Sequence, residues 1–497
     1  MAFRAHLPQR TAAVAALLLA VLLLLMVVRL PWSGDLGMHG AVLERLRADL
    51  FHPGNPLVDA DTPSAYYSPW TVALALVATA SGWGTFGVLR LAGLAGLVLL
   101  GTGIAAFVRT FTRRRAAVPL AVLCVLLLYG VRVFAWSGVP GLSSLCLTLA
   151  YPSTFALGLA FHLWALLRRG LRERWGLPGF LGLGVLLAGV LLTHQFTGAV
   201  ALLGVAAVLL GARPLPNREL WLRAGAGALL ASALLLCWPY YPVLALVGGG
   251  GLDAVHRPLY SHMAQRFCLV AALGVPVLAV RWRRDHRDPL ALFFALGAVV
   301  FAAGWLSGHY AWGRVLPALL LPAQLALALE VAGAGGGGLR RALPAVTAVA
   351  LLAGAWTQAG VLTYVLRKDA IPPVLREVRA IGLWPGFGWA TAHVPKGATV
   401  MTDDYYALRT LPAYGPYTVA PAYPDLFLPD ERRRREATRR YFAPATSRAE
   451  RLGILKEYGV RWVLHKNGGA GRAPADPALR TVARGPGGLV LLEVVRP

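Results

Sequence analysis

The sequence predicts a polytopic α-helical membrane protein with about eleven transmembrane helices and a small extracytoplasmic C-terminal α/β domain. Two observations predict this fold class. Hydrophobic residues make up 57% of the 497 residues and charged residues only 14%, a balance that is unusual for a soluble fold. The apolar residues form long runs, and arginines form short clusters between them. Because such clusters stay on the cytoplasmic side, they also predict the topology.

The first predicted span is the apolar run 11–30, which follows a basic N-terminus. The run is long enough to cross a bilayer, and no small-residue cleavage site precedes Trp32, so we expect an uncleaved span and not a signal peptide. The other predicted spans are 87–108, 117–134, 148–167, 178–193, 197–211, 223–243, 265–280, 289–306, 313–331 and 342–364.

Arginine clusters assign the loops between these spans to alternate sides of the membrane. The inner loops hold Arg109, Arg113, Arg114 and Arg115, then Arg168, Arg169, Arg172 and Arg174, then Arg213 and Arg218, then Arg281, Arg283, Arg284 and Arg287, and finally Arg340 and Arg341. The outer segments are then 31–86, 136–144, the turn at His194, 248–265, 307–314 and everything after about 365. We expect the glycines at 248–251 to let their loop move.

The formal net charge of +25 does not indicate a nucleic-acid partner, because the basic residues form no single patch or face. We interpret them as topology determinants and as contacts to anionic lipid headgroups. All four cysteines fall in or beside the apolar runs. The C-terminal region therefore has neither a disulfide framework nor a cysteine-based zinc site.

Residues 365–497 are predicted to form the C-terminal domain, after a membrane domain of residues 1–364. Strand-like runs lie at 398–401, 417–420, 461–465 and 488–495. Residues 447–458 have a helical pattern, with Ser447 as the cap and Glu450 three residues later. A helix followed by Gly459 and a strand is typical of a small α/β domain.

Asp35 and His39 are the predicted catalytic residues, in the first outer loop. Their spacing of four would place both side chains on one face of a helix that begins just outside the membrane. A partly buried carboxylate there can act as a general base on an acceptor hydroxyl. The alternative is that Asp35 only caps the helix over 37–50.

The first loop also contains Tyr66-Tyr67-Ser68-Pro69-Trp70, which leads into an expected interfacial helix ending at Gly82, and Leu89-Arg90-Leu91 follows in the next span. With Asp35, these features resemble the polytopic glycosyltransferases of the GT-C superfamily. The resemblance implies that a sugar moves from a polyprenyl-phosphate carrier to a glycan, lipid or protein acceptor, with Asp35 as the base of an inverting displacement. Leu36 follows where many members have a second acidic residue, so a divalent metal ion as cofactor is left open.

A further resemblance, to the arabinofuranosyltransferases of actinobacterial cell walls, lies in the Gly34-Asp35 opening and the outer tail. The Ala-, Arg- and Gly-rich composition is typical of a high-GC bacterium. With this composition, the resemblance implies a location in a bacterial cytoplasmic membrane, with the active site and the C-terminal domain outside. The resemblance does not distinguish arabinose, mannose and aminosugar donors.

A lipid-phosphate leaving group needs cations or hydrogen-bond donors just outside the apolar slab. The outer segments contain five candidates, which are His256, Arg257, His309, Tyr310 and Arg314. The two arginines are the main expected phosphate ligands, and contact with lipid headgroups is the alternative for each. We interpret His194 as a hydrogen-bonded structural histidine, and a functional polar turn is the alternative.

In the tail, Asp403, Asp404 and Tyr405 follow a strand and are predicted to bind an acceptor saccharide through carboxylate hydrogen bonds and ring stacking. A solvated turn is the alternative. Arg432 to Arg435, with Arg439 and Arg440, form a basic helical face that rests on anionic lipid or polymer, or is simply solvated.

The sequence contains no Walker, dinucleotide-binding or zinc-protease motif. Two other functions stay open beside glycosyl transfer. One is a transporter or flippase of a lipid-linked saccharide, which would need buried charge within the spans and paired repeats. The other is a non-catalytic relative that binds a glycan or lipid.

Overall fold

The structure is a computed structural model that describes residues 2–246, 253–334, 339–466 and 476–495. The glycines at 248–251, expected to let their loop move, lie outside the described residues. The helices, in chain order, are α1 (Ala2–Arg29), α2 (Leu36–Ala48), α3 (Pro69–Ser81), α4 (Thr85–Arg109), α5 (Ala117–Leu127), α6 (Leu142–Thr148), α7 (Pro152–Glu173), α8 (Leu177–Thr193), α9 (Gln195–Leu210), α10 (Arg218–Leu236), α11 (Asp253–His256), α12 (Met263–Arg284), α13 (Pro289–Ser307), α14 (Pro317–Gly333), α15 (Leu339–Gln358), α16 (Pro373–Arg376), α17 (Gly388–Thr391), α18 (Tyr405–Thr410), α19 (Glu431–Phe442) and α20 (Arg448–Glu457). The strands are β1 (Thr399–Met401), β2 (Tyr417–Thr418), β3 (Val460–Lys466), β4 (Leu479–Arg484) and β5 (Leu489–Val494).

Among the described residues, seven helices are long and apolar enough to cross a membrane, and eight if α6 and α7, bent by 116°, count as one span. These account for the predicted runs except 117–134, 178–193 and 197–211, which correspond to the shorter helices α5, α8 and α9. The predicted helical fold with many apolar spans is confirmed. The count of eleven spans stays a prediction.

Two predicted spans end earlier than expected. The helix expected over 117–134 stops at Leu127, because the carbonyl oxygens of Leu126 and Leu128 accept hydrogen bonds from Gln358 Nε2 (3.0 Å) and Gln324 Nε2 (2.9 Å). These side chains satisfy backbone groups that a continuing helix would satisfy, as an apolar environment requires. The run 223–243 is helical only to Leu236, because prolines at 239 and 242 cannot continue a helix.

The chain divides into two compact units, and the first consists of Met1–Pro31, Arg90–Cys237 and Gly250–Gly382. Small residues let its helices approach closely. A Cβ on Gly184 of α8 would overlap the carbonyl oxygen of Gly227 on α10. Gly297 of α13 packs in the same way on Ala318 of α14. The remaining apolar residues form one continuous buried cluster from α1 to α15.

The second unit consists of Trp32–Leu89, Trp238–Gly249 and Leu383–Pro497. Its five strands form one sheet in the order β2-β1-β3-β5-β4. Strand β1 pairs in parallel with β2 and β3, whereas β5 pairs antiparallel with β3 and β4. Helices α19 and α20 cover one face through Tyr441, Phe442 and Leu455. The unit therefore contains the predicted α/β domain together with the first loop, and the domain boundary at 364/365 stays a prediction.

Within this second unit, α2 packs closely on the segment 409–417. A Cβ on Gly37 would overlap the carbonyl oxygen of Arg409, and Gly40 lies against Ala413. The buried guanidinium of Arg45 donates to the carbonyl oxygens of Gly415 (2.8 Å) and Pro416 (2.7 Å). These contacts fix the position of α2 along its whole length.

Candidate active site

Asp35 is the residue immediately before α2, and its backbone carbonyl accepts from His39 N (3.1 Å). It occupies the N-cap position, but its half-buried carboxylate makes no capping hydrogen bond. Within the described part of the chain, this carboxylate has neither a hydrogen bond nor an ion pair. The side chain of Asp35 therefore does not cap α2, and its role as the base stays a prediction.

The backbone around Asp35 is held by its own unit. The carbonyl oxygen of Trp32 accepts from Trp384 N (2.9 Å), and the Trp32 ring stacks on Tyr414 with centroids 6.0 Å apart. Phe86 packs against both rings. Two residues beyond Asp35, Gly37 contacts the Arg409 backbone. The backbone is thus held on both sides of Asp35.

His39 lies one turn into α2 and is buried, with 4% of its surface exposed. Its ring contacts Trp70 and Tyr66, with centroids 5.7 and 6.4 Å away. Burial lowers the pKa of His39 to about 3, so the ring is neutral at physiological pH. The structure thus places the two predicted catalytic residues in different environments, one half-exposed and one enclosed by aromatic rings.

A second polar cluster lies in the first unit, where α8 ends and α9 begins. His194 is the N-cap of α9, and its Nδ1 accepts from Thr197 N (3.1 Å). Its Nε2 lies 3.3 Å from Nη2 of Arg314, whose guanidinium lies 4.5 Å from the centroid of the Phe196 ring. Ser137 and Gly138 complete the cavity around these groups, which is also lined by Leu157, Val200 and Pro317.

His194 has hydrogen-bond contacts on both ring nitrogens. Nδ1 also lies 2.8 Å from the Thr197 hydroxyl oxygen, so it accepts from the Thr197 N–H in one neutral tautomer and donates to that hydroxyl in the other. Because the guanidinium of Arg314 only donates, Nε2 accepts from Nη2 when the ring carries its proton on Nδ1. His194 thus orients the guanidinium of Arg314, a group suited to binding an anionic oxygen.

No protein-family model matches the sequence, and no curated protein matches it. The crystal structure of ArnT from Cupriavidus metallidurans in the apo state is similar over 97% of this chain and 98% of ArnT, with a TM-score of 0.58 and 17% identity. ArnT bound to undecaprenyl phosphate matches over 97% of both chains, with a TM-score of 0.55 and 14% identity. The chain has the GT-C fold.

Arabinofuranosyltransferase AftD from Mycobacteria is also similar, with a TM-score of 0.57 and 17% identity. The match covers 98% of this chain but only 40% of AftD. The GT-C resemblance expected from the first loop is therefore confirmed at the level of the fold. With its apolar helices, the GT-C fold makes this chain a multi-pass membrane protein.

The five predicted phosphate ligands fall into three groups. Arg314 and the buried His256 lie on the ring of Phe196, since the His256 and Phe196 centroids are 5.3 Å apart. Arg257 is exposed, 5.8 Å from the ring of Tyr310. His309 is exposed and stacks on Trp312. The structure thus places His194, which the sequence had left as structural, in direct contact with a predicted ligand.

The sequence did contain a signal for this cluster. His194-Gln195-Phe196-Thr197 is a polar interruption between two apolar runs, and such interruptions in a membrane protein mark functional positions. Only one of the two contacts of His194 could be predicted from the sequence. Thr197 is three residues away, so its contact follows from capping rules. Arg314 is 120 residues away, so its contact is known only from the folded structure.

In the tail, Asp404 is the N-cap of α18 and accepts from Tyr406 N (3.0 Å) and Ala407 N (2.8 Å). Asp403 is exposed, and partial desolvation of its carboxyl, with the neighbouring Asp404, raises its pKa. Tyr405 is 55% exposed and its ring contacts Tyr406. The three predicted acceptor residues thus lie side by side, one of them also capping a helix.

The basic helix α19 is largely neutralised by acidic neighbours. Five of its arginines form ion pairs, which are Arg433 with Glu457, Arg434 with Asp430, Arg435 with Glu431, Arg439 with Glu436 and Arg440 with Glu450. This pairing supports the interpretation as a solvated face.

Among the described residues, no group of three or more His, Cys, Asp or Glu side chains could hold a metal ion.

Proposed function

We propose that this chain is a glycosyltransferase that moves a sugar from a polyprenyl-phosphate donor to a hydroxyl acceptor, with Asp35 as the general base. One observation carries the proposal: among the described residues, the half-buried carboxylate at the start of α2 neither caps the helix nor forms an ion pair. A carboxylate that does no structural work is available to accept a proton. The GT-C fold supports glycosyl transfer as the reaction class.

In the proposed reaction, the acceptor oxygen attacks the anomeric carbon of the donor sugar and Asp35 takes the hydroxyl proton. The bond between that carbon and the phosphate oxygen breaks, and the polyprenyl phosphate leaves with the electron pair. The acceptor attacks the face opposite the leaving phosphate, so the anomeric configuration is inverted. The rate depends on how well the base is placed and on how well charge on the leaving phosphate is stabilised.

Arg314 is proposed to stabilise that phosphate through its guanidinium, which lines a cavity beside His194, and His194 is proposed to orient this guanidinium. His256, Arg257, His309 and Tyr310 are proposed as further donor contacts from the neighbouring loops. ArnT has been seen bound to undecaprenyl phosphate, and this supports a polyprenyl phosphate as the carrier.

We place the reaction on the outer face of a bacterial cytoplasmic membrane, with residues 365–497 outside, because the arginine clusters alternate with the spans. The similarity to AftD makes an arabinofuranosyl donor the first sugar to assay, in the context of cell-wall synthesis. Hexosyl donors form the second set.

The test is sugar transfer by Asp35→Asn compared with Asp61→Asn. Asp61 is an exposed carboxylate in the same loop, so it controls for loss of a negative charge there. We expect Asp35→Asn to lower kcat by at least about a hundredfold, the scale of general base catalysis, with an unchanged melting temperature. Asp61→Asn should retain full activity.

Transfer that survives in Asp35→Asn would refute the assignment of the base. Movement of a lipid-linked saccharide across vesicles by the wild type, without any transfer to an acceptor, would instead establish the transporter.

A further inference from the structure

Three aromatic side chains of the second unit form a cluster, which we call the aromatic platform and define as the half-buried Trp384 and the exposed Tyr405 and Tyr406. The ring centroids lie 5.2 Å apart for Tyr405 and Tyr406, and 5.8 and 5.5 Å apart for Trp384 with each tyrosine. Tyr405 is 55% exposed and Tyr406 39%. Contiguous exposed aromatic surface of this kind is typical of a binding site.

Several other aromatic rings of the same unit are buried. Phe387 is fully buried, and Tyr441 and Phe442 expose 1% and 4% of their surfaces. The unit therefore has a core that accommodates large rings, yet three rings remain on its surface in mutual contact. A scattered exposed ring needs no explanation, but a cluster does.

The platform is held rigidly by its surroundings. Asp404 caps α18 through the backbone N–H groups of Tyr406 and Ala407. The guanidinium of Arg409 lies 3.7 Å from the centroid of the Tyr405 ring and donates to the Tyr405 carbonyl oxygen (3.0 Å). Because the rings are already ordered, a ligand loses little conformational entropy of the protein on binding.

The platform is linked through the backbone to the segment that contains Asp35. The backbone N–H of Trp384 donates to the Trp32 carbonyl oxygen, three residues before Asp35. The helix that presents both tyrosines ends where Arg409 packs against Gly37, two residues after Asp35. Both sides of the platform are therefore tied to the chain that presents the proposed base.

The chemistry of the platform fits a saccharide. Sugar rings present C–H faces that pack on aromatic rings, and hydroxyl groups that donate to carboxylates. Asp403 is exposed beside the platform, and only one oxygen of Asp404 is used for capping. Two neighbouring carboxylates repel an anionic ligand, so an uncharged sugar is favoured over a phosphorylated one.

We infer that the aromatic platform binds the acceptor and that the acceptor is an uncharged saccharide, held by stacking on Tyr405 and Tyr406 and by hydrogen bonds to Asp403. The claim that the bound saccharide is the acceptor rests on the proposed function. The claim that the platform binds a saccharide rests only on the platform itself.

Binding is measured without donor, so the test does not depend on transfer. Full-length protein in lipid nanodiscs is titrated with arabino-, manno- and malto-oligosaccharides by saturation-transfer NMR, with an uncharged peptide as the comparison. At least one saccharide should bind at millimolar concentration or below. Tyr405→Ala and Tyr406→Ala should each raise its Kd about tenfold, the effect expected of a central contact. Tyr405→Phe should bind like the wild type, because the ring is kept.

Phe51→Ala is the matched control, since Phe51 is an 80% exposed ring of the same unit, and it should bind normally. Unchanged saccharide binding in both alanine variants would overturn the inference, as would binding of the peptide alone or of no saccharide at all. If the platform variants weaken saccharide binding while the wild type transfers no sugar to any acceptor, the platform stands and the proposed function fails. If Asp35→Asn abolishes transfer and the platform variants bind normally, the reverse holds.

Discussion

His194 has two separable roles, and one substitution separates them. Its Nδ1 caps α9 by accepting from Thr197 N, and its Nε2 lies beside Arg314. Asparagine is a strong N-cap, so His194→Asn keeps the capping acceptor and removes the second nitrogen. Alanine removes both. Loss of the cap should cost about 1 kcal/mol of stability, and loss of the contact that orients the charged Arg314 guanidinium about 1.5–3 kcal/mol of phosphate binding.

These magnitudes predict different results for the variants. His194→Asn should melt like the wild type but bind undecaprenyl phosphate at least about tenfold more weakly, since 1.4 kcal/mol is a factor of ten in Kd. His194→Ala should lose both stability and affinity. Asn217→Ala is the matched control, because Asn217 caps α10 through the same contact, to Leu220 N at 3.1 Å. It should lose stability alone.

The assay is a titration of purified protein in nanodiscs with undecaprenyl phosphate, paired with thermal unfolding of each variant. Wild-type affinity in His194→Asn would reduce His194 to a helix cap. Equal loss of affinity in Asn217→Ala and His194→Ala would mean that the binding change reflects stability and not a contact.

Two further predictions concern the second unit. Because burial lowers the pKa of His39 from 6.5 to about 3, protonation favours the unfolded chain, so stability falls as the pH drops below 6.5. The loss should reach about 2 kcal/mol at about pH 5, and His39→Phe, which keeps the aromatic packing, should remove that part of the pH dependence in unfolding measurements. Gly37→Ala should lower the free energy of unfolding by about 1–3 kcal/mol, because the new methyl group meets the Arg409 backbone. Gly453→Ala, in α20 with open space around it, should raise it by about 0.5–1 kcal/mol, and equal melting temperatures for the two variants would contradict the packing described for α2.

Much of the fold could be predicted because its signals are local. Ser68 begins α3 with a capping box and Gly82 ends it in the left-handed conformation, and both residues identify the helix in the sequence. Ser447 caps α20 by accepting from Glu450 N (3.2 Å). Strand β4 was missed because it lies at the edge of the sheet and exposes Arg480 and Arg484, so it lacks the continuous apolar pattern of β3.

The end of α5 could not be predicted, because its cause is distant in sequence. An apolar run as long as 117–134 is read as one span unless something satisfies the freed carbonyl groups. Gln324 and Gln358 do so from helices about 200 residues later. A single glutamine inside an apolar run indicates that some buried polar group needs a partner, but the sequence does not say which one.

In the candidate site, too, features with local causes could be predicted and features that depend on distant residues could not. Asp35 was predictable because glycine precedes it and a helix follows it, yet its N-cap position made capping the stronger expectation. Only side-chain geometry separates a capping carboxylate from one that is available for chemistry. Arg314 was predictable as an outer arginine, whereas its contact with His194 depends on the packing of α9.

The position of the proposed base is set by residues far along the chain. Desolvating a guanidinium costs several kcal/mol, so the burial of Arg45 requires partners that do not move. The carbonyl groups of Gly415 and Pro416 and the ring of Tyr417 provide them, some 370 residues later. The residue before Arg45 is Glu44, whose buried carboxylate pairs with Lys396 (2.6 Å) and accepts from Thr85. A base within a loop must be held to well under 1 Å to act, and for Asp35 the tail provides that support, so this arrangement explains why the first loop and the tail form one compact unit.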